Sequence, residues 1–150
     1  CEEILNADDE IYDYIACCVG TGGTISGIIN ASQENQYILG FSALKNHLHK
    51  EIRKFTTKDN YSIIEDDRFG GYAKTTNELI EFINSFFKCT GIRLDPIYTG
   101  KMMFKLFKMI DQNFFEKNTK ILAVHSGGLQ GVKAYNNMLK YKNRVPIIFK

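Results

Sequence analysis

A chain of 150 residues that is 44% hydrophobic and 24% charged is long enough to bury one core, and its composition excludes low-complexity or disordered character. Its formal net charge of +2, with Lys and Arg scattered among Asp and Glu, gives no basic surface for nucleic acid, and no apolar run reaches membrane-spanning length. The four cysteines, Cys1, Cys17, Cys18 and Cys89, form neither a C-x-x-C pair nor a zinc spacing, so reduced thiols, a cytoplasmic home and no metal site are expected.

The chain opens on Cys1-Glu2-Glu3-Ile4-Leu5, which reads as the end of a helix without an initiator methionine, so a piece of a longer polypeptide is expected. Residues 12–19 form the first strand, apolar at nearly every position after Asp13, as in a strand covered on both faces. Cys17 and Cys18 should point to opposite faces of it. The strand breaks into Gly20-Thr21-Gly22-Gly23-Thr24 and a short helix follows to about Ser32. Without side chains at Gly20, Gly22 and Gly23 the backbone can turn tightly and bring its N–H groups to an anion, and the helix start adds unpaired amides and a positive dipole end. Ser26-Gly27 stands where a Walker loop needs its lysine, and Ile25 stands where a dinucleotide fingerprint needs its third glycine. Either a plain glycine turn or a phosphate cradle of another kind fits.

Residues 37–41 read as a second buried strand, and Leu44, Leu48, Ile52 and Phe55 recur at helical spacing, giving a helix over about 43–56 that carries His47 and His49 on its surface. Residues 61–64 form a short strand, and Phe69-Gly70-Gly71-Tyr72 a loop held close to something. Thr75-Thr76-Asn77-Glu78 fits a capping box with Thr75 as the cap, the helix burying Leu79, Ile80, Ile83, Phe86 and Phe87 and ending at Gly91. Leu94-Asp95-Pro96-Ile97-Tyr98-Thr99-Gly100-Lys101 reads as extended, because proline disfavours helical geometry in the residue before it. A helix then carries Met102, Met103, Leu106, Phe107 and Ile110 on one face, the methionines as core. Residues 120–124 are another buried strand, His125-Ser126-Gly127-Gly128-Leu129 a second glycine turn into a helix, and residues 144–149 a terminal strand or a packed tail. Strands alternating with helices give the fold class: α/β, a parallel sheet with flanking helices in one domain, with ligands gathered at the carboxyl ends of the strands.

These four motifs, Gly20-Thr21-Gly22-Gly23-Thr24, Phe69-Gly70-Gly71-Tyr72, the stretch from Leu94 to Lys101 and His125-Ser126-Gly127-Gly128-Leu129, stand in the order seen in the ACC deaminase and D-cysteine desulfhydrase family, which the chain resembles from Tyr12 to about Tyr135. The resemblance implies a type II pyridoxal 5'-phosphate enzyme of the tryptophan-synthase-β-like fold, of which this chain supplies the carboxyl-terminal part of the large domain. It implies that Gly20, Thr21, Gly22, Gly23 and Thr24 hold the cofactor phosphate, that Thr99 and Ser126 stand beside the pyridine nitrogen and the ring, and that Tyr72 and Tyr98 are the active-site tyrosines. It further implies a homodimer when full length, acting on a small amino acid: a lyase or deaminase, also classed among hydrolases, converting D-cysteine to pyruvate, hydrogen sulfide and ammonia, or alternatively 1-aminocyclopropane-1-carboxylate (ACC) to 2-oxobutanoate and ammonia. The family's ACC deaminases carry glutamate where Thr99 stands, which favours the desulfhydrase. The family's Asn-Lys segment, which bears the cofactor lysine in the amino-terminal half, has no counterpart in these residues, so the chain alone is expected to be inactive. A non-catalytic module for phosphate ligands and a plain assembly domain are the competing readings.

Overall fold

The computed structural model describes residues 10–42, 48–65 and 73–148. Among these residues four strands, β1 (Tyr14–Val19), β2 (Tyr37–Ser42), β3 (Tyr61–Glu65) and β4 (Ile121–Val124), form one sheet in the order β3-β2-β1-β4. Every pairing is parallel: Tyr14 lies opposite Tyr37 and Ile121, and Ile38 opposite Tyr61. Parallel neighbours require crossovers, and helices supply them. α1 (Gly23–Ala31) links β1 to β2, and α2 (Leu48–Arg53) lies between β2 and β3. α3 (Asn77–Thr90) and α4 (Thr99–Asp111) carry the chain back across the sheet to β4, and α5 (Val132–Tyr141) follows a short 3₁₀ turn over Leu129–Gly131.

The period of two in β1 decides what packs where. Ile15, Cys17 and Val19 face α1 and α2, in a core with Ile25, Ile28, Ile29 and Ile52. Ala16 faces the other way, with Leu39 and Phe41, against Met102, Leu106 and Met109 of α4. Cys18 lies on this second face, partly buried, opposite in direction to Cys17 as the alternation requires. A third core lies where α3, α4 and α5 meet, around Leu79, Ile83, Phe104, Val132 and Leu139.

Three local expectations change, and one open alternative is decided. The cap of α3 is Thr76, whose side chain accepts from Leu79 N at 3.2 Å; Thr75 instead shares a 2.8 Å hydrogen bond with the Tyr135 hydroxyl, so no capping box to Glu78 forms. Thr76→Ala should therefore cost about 1 kcal/mol in a denaturant melt, and Glu78→Ala no more than about half of that. The stretch from Leu94 to Lys101 is a turn followed by the first residues of α4, because the Asp95 side chain accepts the Tyr98 and Thr99 amides that the start of the helix leaves without backbone partners. Phe107 and Ile110 are exposed, since α4 lies between two cores and buries Phe104 and Met109 in their place. The terminal segment is a packed tail: Asn136 exchanges two hydrogen bonds with the backbone of Ile147, and Asn84 bonds Pro146 O and Ile148 N, while Ile147 is buried. Of the helix expected over about 43–56, residues 48–53 form α2; residues 43–47, His47 included, lie outside the described residues.

Candidate functional site

The strand order places the site. From β1 the chain moves outward through β2 and β3, then returns to add β4 on the other side of β1. Loops leaving β1 and β4 thus diverge in opposite directions, which opens a crevice at their carboxyl ends, the switch point where α/β sheets hold ligands. The two glycine segments of the sequence leave these two strands. Cys17 pairs with Val124, so residues 20–24 and 125–128 begin side by side.

On the β1 side, Gly22 has φ +96, a left-handed conformation that suits glycine, and it caps α1 while its carbonyl accepts from Ser26 N at 3.0 Å and from Ser26 Oγ at 2.7 Å. A side chain at Gly20 or Gly23 would meet nothing within 4 Å, so open space lies over the loop. Thr21, Gly23 and Thr24 are exposed. No acidic residue stands in the first turn of α1, and Glu51, which packs behind Gly22, is paired with Lys54 at 2.7 Å. The loop therefore presents amides and two threonine hydroxyls to an anion, with no competing carboxylate in the loop itself.

On the β4 side, His125 Nε2 lies 2.7 Å from Arg93 O, and Gly127 N donates to His125 Nδ1 at 3.3 Å. The second bond needs an unprotonated Nδ1, so Nε2 carries the proton and donates to Arg93 O. Gly127 and Gly128 are both left-handed, at φ +114 and +96. This turn leaves the Ser126 hydroxyl exposed.

The start of α4 closes the group. Asp95 is buried, and its carboxylate takes four hydrogen bonds: Oδ1 from Ile97 N and Tyr98 N, Oδ2 from Thr99 N, all at 2.8 Å, and Oδ2 from Thr99 Oγ1 at 2.6 Å. Asp95 N donates back to Thr99 Oγ1 at 2.9 Å. A Cβ at Gly128 would lie 2.9 Å from Asp95 Cγ, so the β4 turn rests directly on this carboxylate. The sequence reading missed Asp95; an aspartate just before proline, able to bond amides two and three residues on, was the available signal.

Of the residues the resemblance assigns, the loop 20–24, Ser126, Tyr98 and Thr99 are thus gathered at one edge. Tyr98 is half-buried at the start of α4, Thr99 is buried with its hydroxyl given to Asp95, and Tyr72 lies outside the described residues. Among the described residues no group of three or more His, Cys, Asp or Glu could hold a metal. A cleft of about 550 Å³ lies elsewhere, between α4 and the β2–β3 face around Tyr14, Tyr37, Ile64 and Met109.

Burial pushes the Cys17 thiol up to about 12, and burial first, then the charges of Asp95 and Cys17, raise Cys18 further. These thiols stay protonated in the folded chain while those of the unfolded chain ionise near 9.0. Unfolding thus releases protons above that pH, and stability should fall between pH 9.0 and about 12, by up to about 1.4 kcal/mol per unit for each thiol. Melts of the chain and of Cys17→Ala across this range should show the shallower slope in the variant.

A parallel sheet with helices as crossovers and two glycine-lined loops at its switch point defines an α/β domain of the class in which ligands gather at the carboxyl edge of the strands. Over most of its length the chain is homologous to proteins of the ACC deaminase and D-cysteine desulfhydrase family. It is 32% identical to the bifunctional D-cysteine desulfhydrase/1-aminocyclopropane-1-carboxylate deaminase of Arabidopsis thaliana, named as mitochondrial, over 87% of this chain and 36% of the relative. It is 29% identical to a putative 1-aminocyclopropane-1-carboxylate deaminase of Thermotoga maritima, over 87% of this chain and 46% of the relative. The crystal structure of an ACC deaminase homologue shares the fold, with a TM-score of 0.75 and 24% identity, over 91% of this chain and 46% of that one. The chain thus spans less than half the length of the relatives it matches. No family model matches the chain. Among the described residues, no helix is long and apolar enough to cross a membrane.

Proposed function

We propose that this chain supplies the phosphate cradle and ring-side wall of a pyridoxal phosphate-dependent lyase or deaminase that acts on a small amino acid, as a homodimer in a cytoplasmic setting. The observation that carries the reading is the juxtaposition at the switch point of an open glycine loop after β1 and a hydroxyl-bearing turn after β4, in a chain homologous to D-cysteine desulfhydrase and ACC deaminase proteins. The residues fit the cofactor at the phosphate end, where exposed amides and the Thr21 and Thr24 hydroxyls surround open space. When bound, pyridoxal phosphate supplies an electron sink for the substrate's α-carbon.

The chain's own groups then have distinct tasks. The loop 20–24 and the α1 dipole bind and orient the dianionic phosphate. Ser126, exposed on its turn, donates to an unprotonated ring nitrogen, which limits the electron withdrawal. Tyr98 moves a proton to or from the departing group. Thr99 is 1% exposed and bonded to a carboxylate, so the glutamate of the family's ACC deaminases would here face Asp95 at close range. That supports D-cysteine as the substrate, with ACC as the alternative. The lysine that carries the cofactor and removes the α-proton is assigned to polypeptide outside these 150 residues, which contain no Asn-Lys dipeptide.

The test is spectroscopic and then kinetic. Full-length protein mixed with pyridoxal phosphate should develop the absorption of a lysine-bound cofactor, release sulfide and pyruvate from D-cysteine, and turn over ACC more slowly. Absence of the absorption overturns the reading. Stabilisation by sugar phosphates or nucleotides, and not by pyridoxal phosphate, would point instead to a non-catalytic phosphate-ligand module.

A further inference from the structure

Asp95 lies in a stretch where proline removes one backbone donor and the chain must turn from the end of α3 into α4. A carboxylate can accept about four hydrogen bonds, and here all four come from the three residues Ile97, Tyr98 and Thr99. Had it served only to cap α4, it would have no reason to touch another segment. Yet the backbone at Gly128 is pressed against the same carboxylate, closely enough that a methyl group at 128 would overlap its Cγ and Oδ2. The Asp95 charge also reaches Cys18, near the end of β1. Two segments that border the crevice, the start of α4 and the turn after β4, therefore meet at one buried carboxylate.

We infer that Asp95 is a positioning residue: its carboxylate sets the first turn of α4, with Tyr98, against the turn that carries Ser126, so that both present their groups to one ligand in a fixed relation. Thr99 is part of the same device. Its hydroxyl both donates to Oδ2 and accepts from Asp95 N, which locks the carboxylate's orientation from two sides. Asn in place of Asp95 could still accept the Ile97 and Tyr98 amides. With its oxygen at the Oδ1 place, however, its NH₂ group would face the Thr99 N–H donor to donor, and the α4 turn would have to move away from Gly128.

As far as catalysis is concerned, the inference rests on the pyridoxal phosphate reading, but its structural half does not. Full-length wild type, Asp95→Asn, Thr99→Val and Thr99→Ser are compared by amide hydrogen exchange without cofactor, then by cofactor absorption, kcat and KM for D-cysteine. In Asp95→Asn and Thr99→Val, exchange should rise about tenfold or more in residues 97–100 and also in residues 126–128, while α1 keeps wild-type protection. kcat should fall about tenfold to a hundredfold with KM nearly unchanged, and the bound cofactor's absorption should shift. Thr99→Ser, which keeps the hydroxyl, should restore wild-type values. The proposal is overturned if exchange rises only in residues 97–100, which would make Asp95 a helix cap and nothing more, or if both variants keep wild-type kcat and absorption. Should Asp95→Asn fail to fold, the near-isosteric Thr99→Val decides alone. If wild type binds no pyridoxal phosphate, the cofactor reading falls, and the exchange pattern still decides the positioning role.

Discussion

Gly100→Ala should lower the stability of the folded chain by about 2–3 kcal/mol, although alanine is the better helix former by about 1 kcal/mol. A Cβ at position 100 would lie 2.5 Å from the carbonyl oxygen of Asp95 and 2.6 Å from Ile83 Cδ1. The oxygen belongs to backbone and already accepts the Gly100 amide at 2.8 Å, so it cannot turn away without giving up that bond. Ile83 is buried in the core between α3 and α4 and has little room to change rotamer. The expected signature is a lowered denaturation midpoint with an unchanged denaturant dependence. Gly23→Ala, whose Cβ would enter open space, is the matched control and should fall within about 0.5 kcal/mol of wild type. Equal stability of Gly100→Ala and Gly23→Ala would refute the close approach at the start of α4.

Met102→Ala should cost about 2–5 kcal/mol, and Ile110→Ala almost nothing. Met102 is 1% exposed, packed on β1 and β2 with Leu106 and Met109, while Ile110 is 47% exposed. Both belong to α4 and both look apolar in sequence, so the contrast tests which stripe of the helix is core. Thermal melts of the two variants suffice, and comparable losses in both would mean that the outer side of α4 is covered.

That contrast also shows where the sequence was readable. Helical spacing identified α4 as amphipathic, but a helix wedged between two cores has two buried stripes, and periodicity alone placed Phe107 and Ile110 with Met102. The strands were clearer. Unbroken apolar runs at residues 15–19 and 38–41 announced a sheet covered on both faces, and alternation sent Cys17 and Cys18 to opposite sides. Of the site, the glycine segments could be read because a left-handed backbone at Gly22, Gly127 and Gly128 leaves a glycine signature. Asp95 could not be weighed in the same way. Its importance comes from Gly128, 33 residues further on, and no local pattern records a contact at that separation.

The order of strands has a consequence for how the site comes into being. β1, β2 and β3 are joined by short crossovers and can pair as soon as the chain up to Glu65 exists. β4 pairs with β1 across a much longer stretch, which the bond from Lys120 N to Asp13 Oδ2 closes over 107 residues. Closing so long a loop carries a larger entropic penalty and slows the step. The glycine loop of residues 20–24 therefore belongs to the part of this sheet that folds early, and the Ser126 turn to a part that folds later. During synthesis the glycine loop exists before the turn beside it, and the crevice between them is completed only when β4 docks.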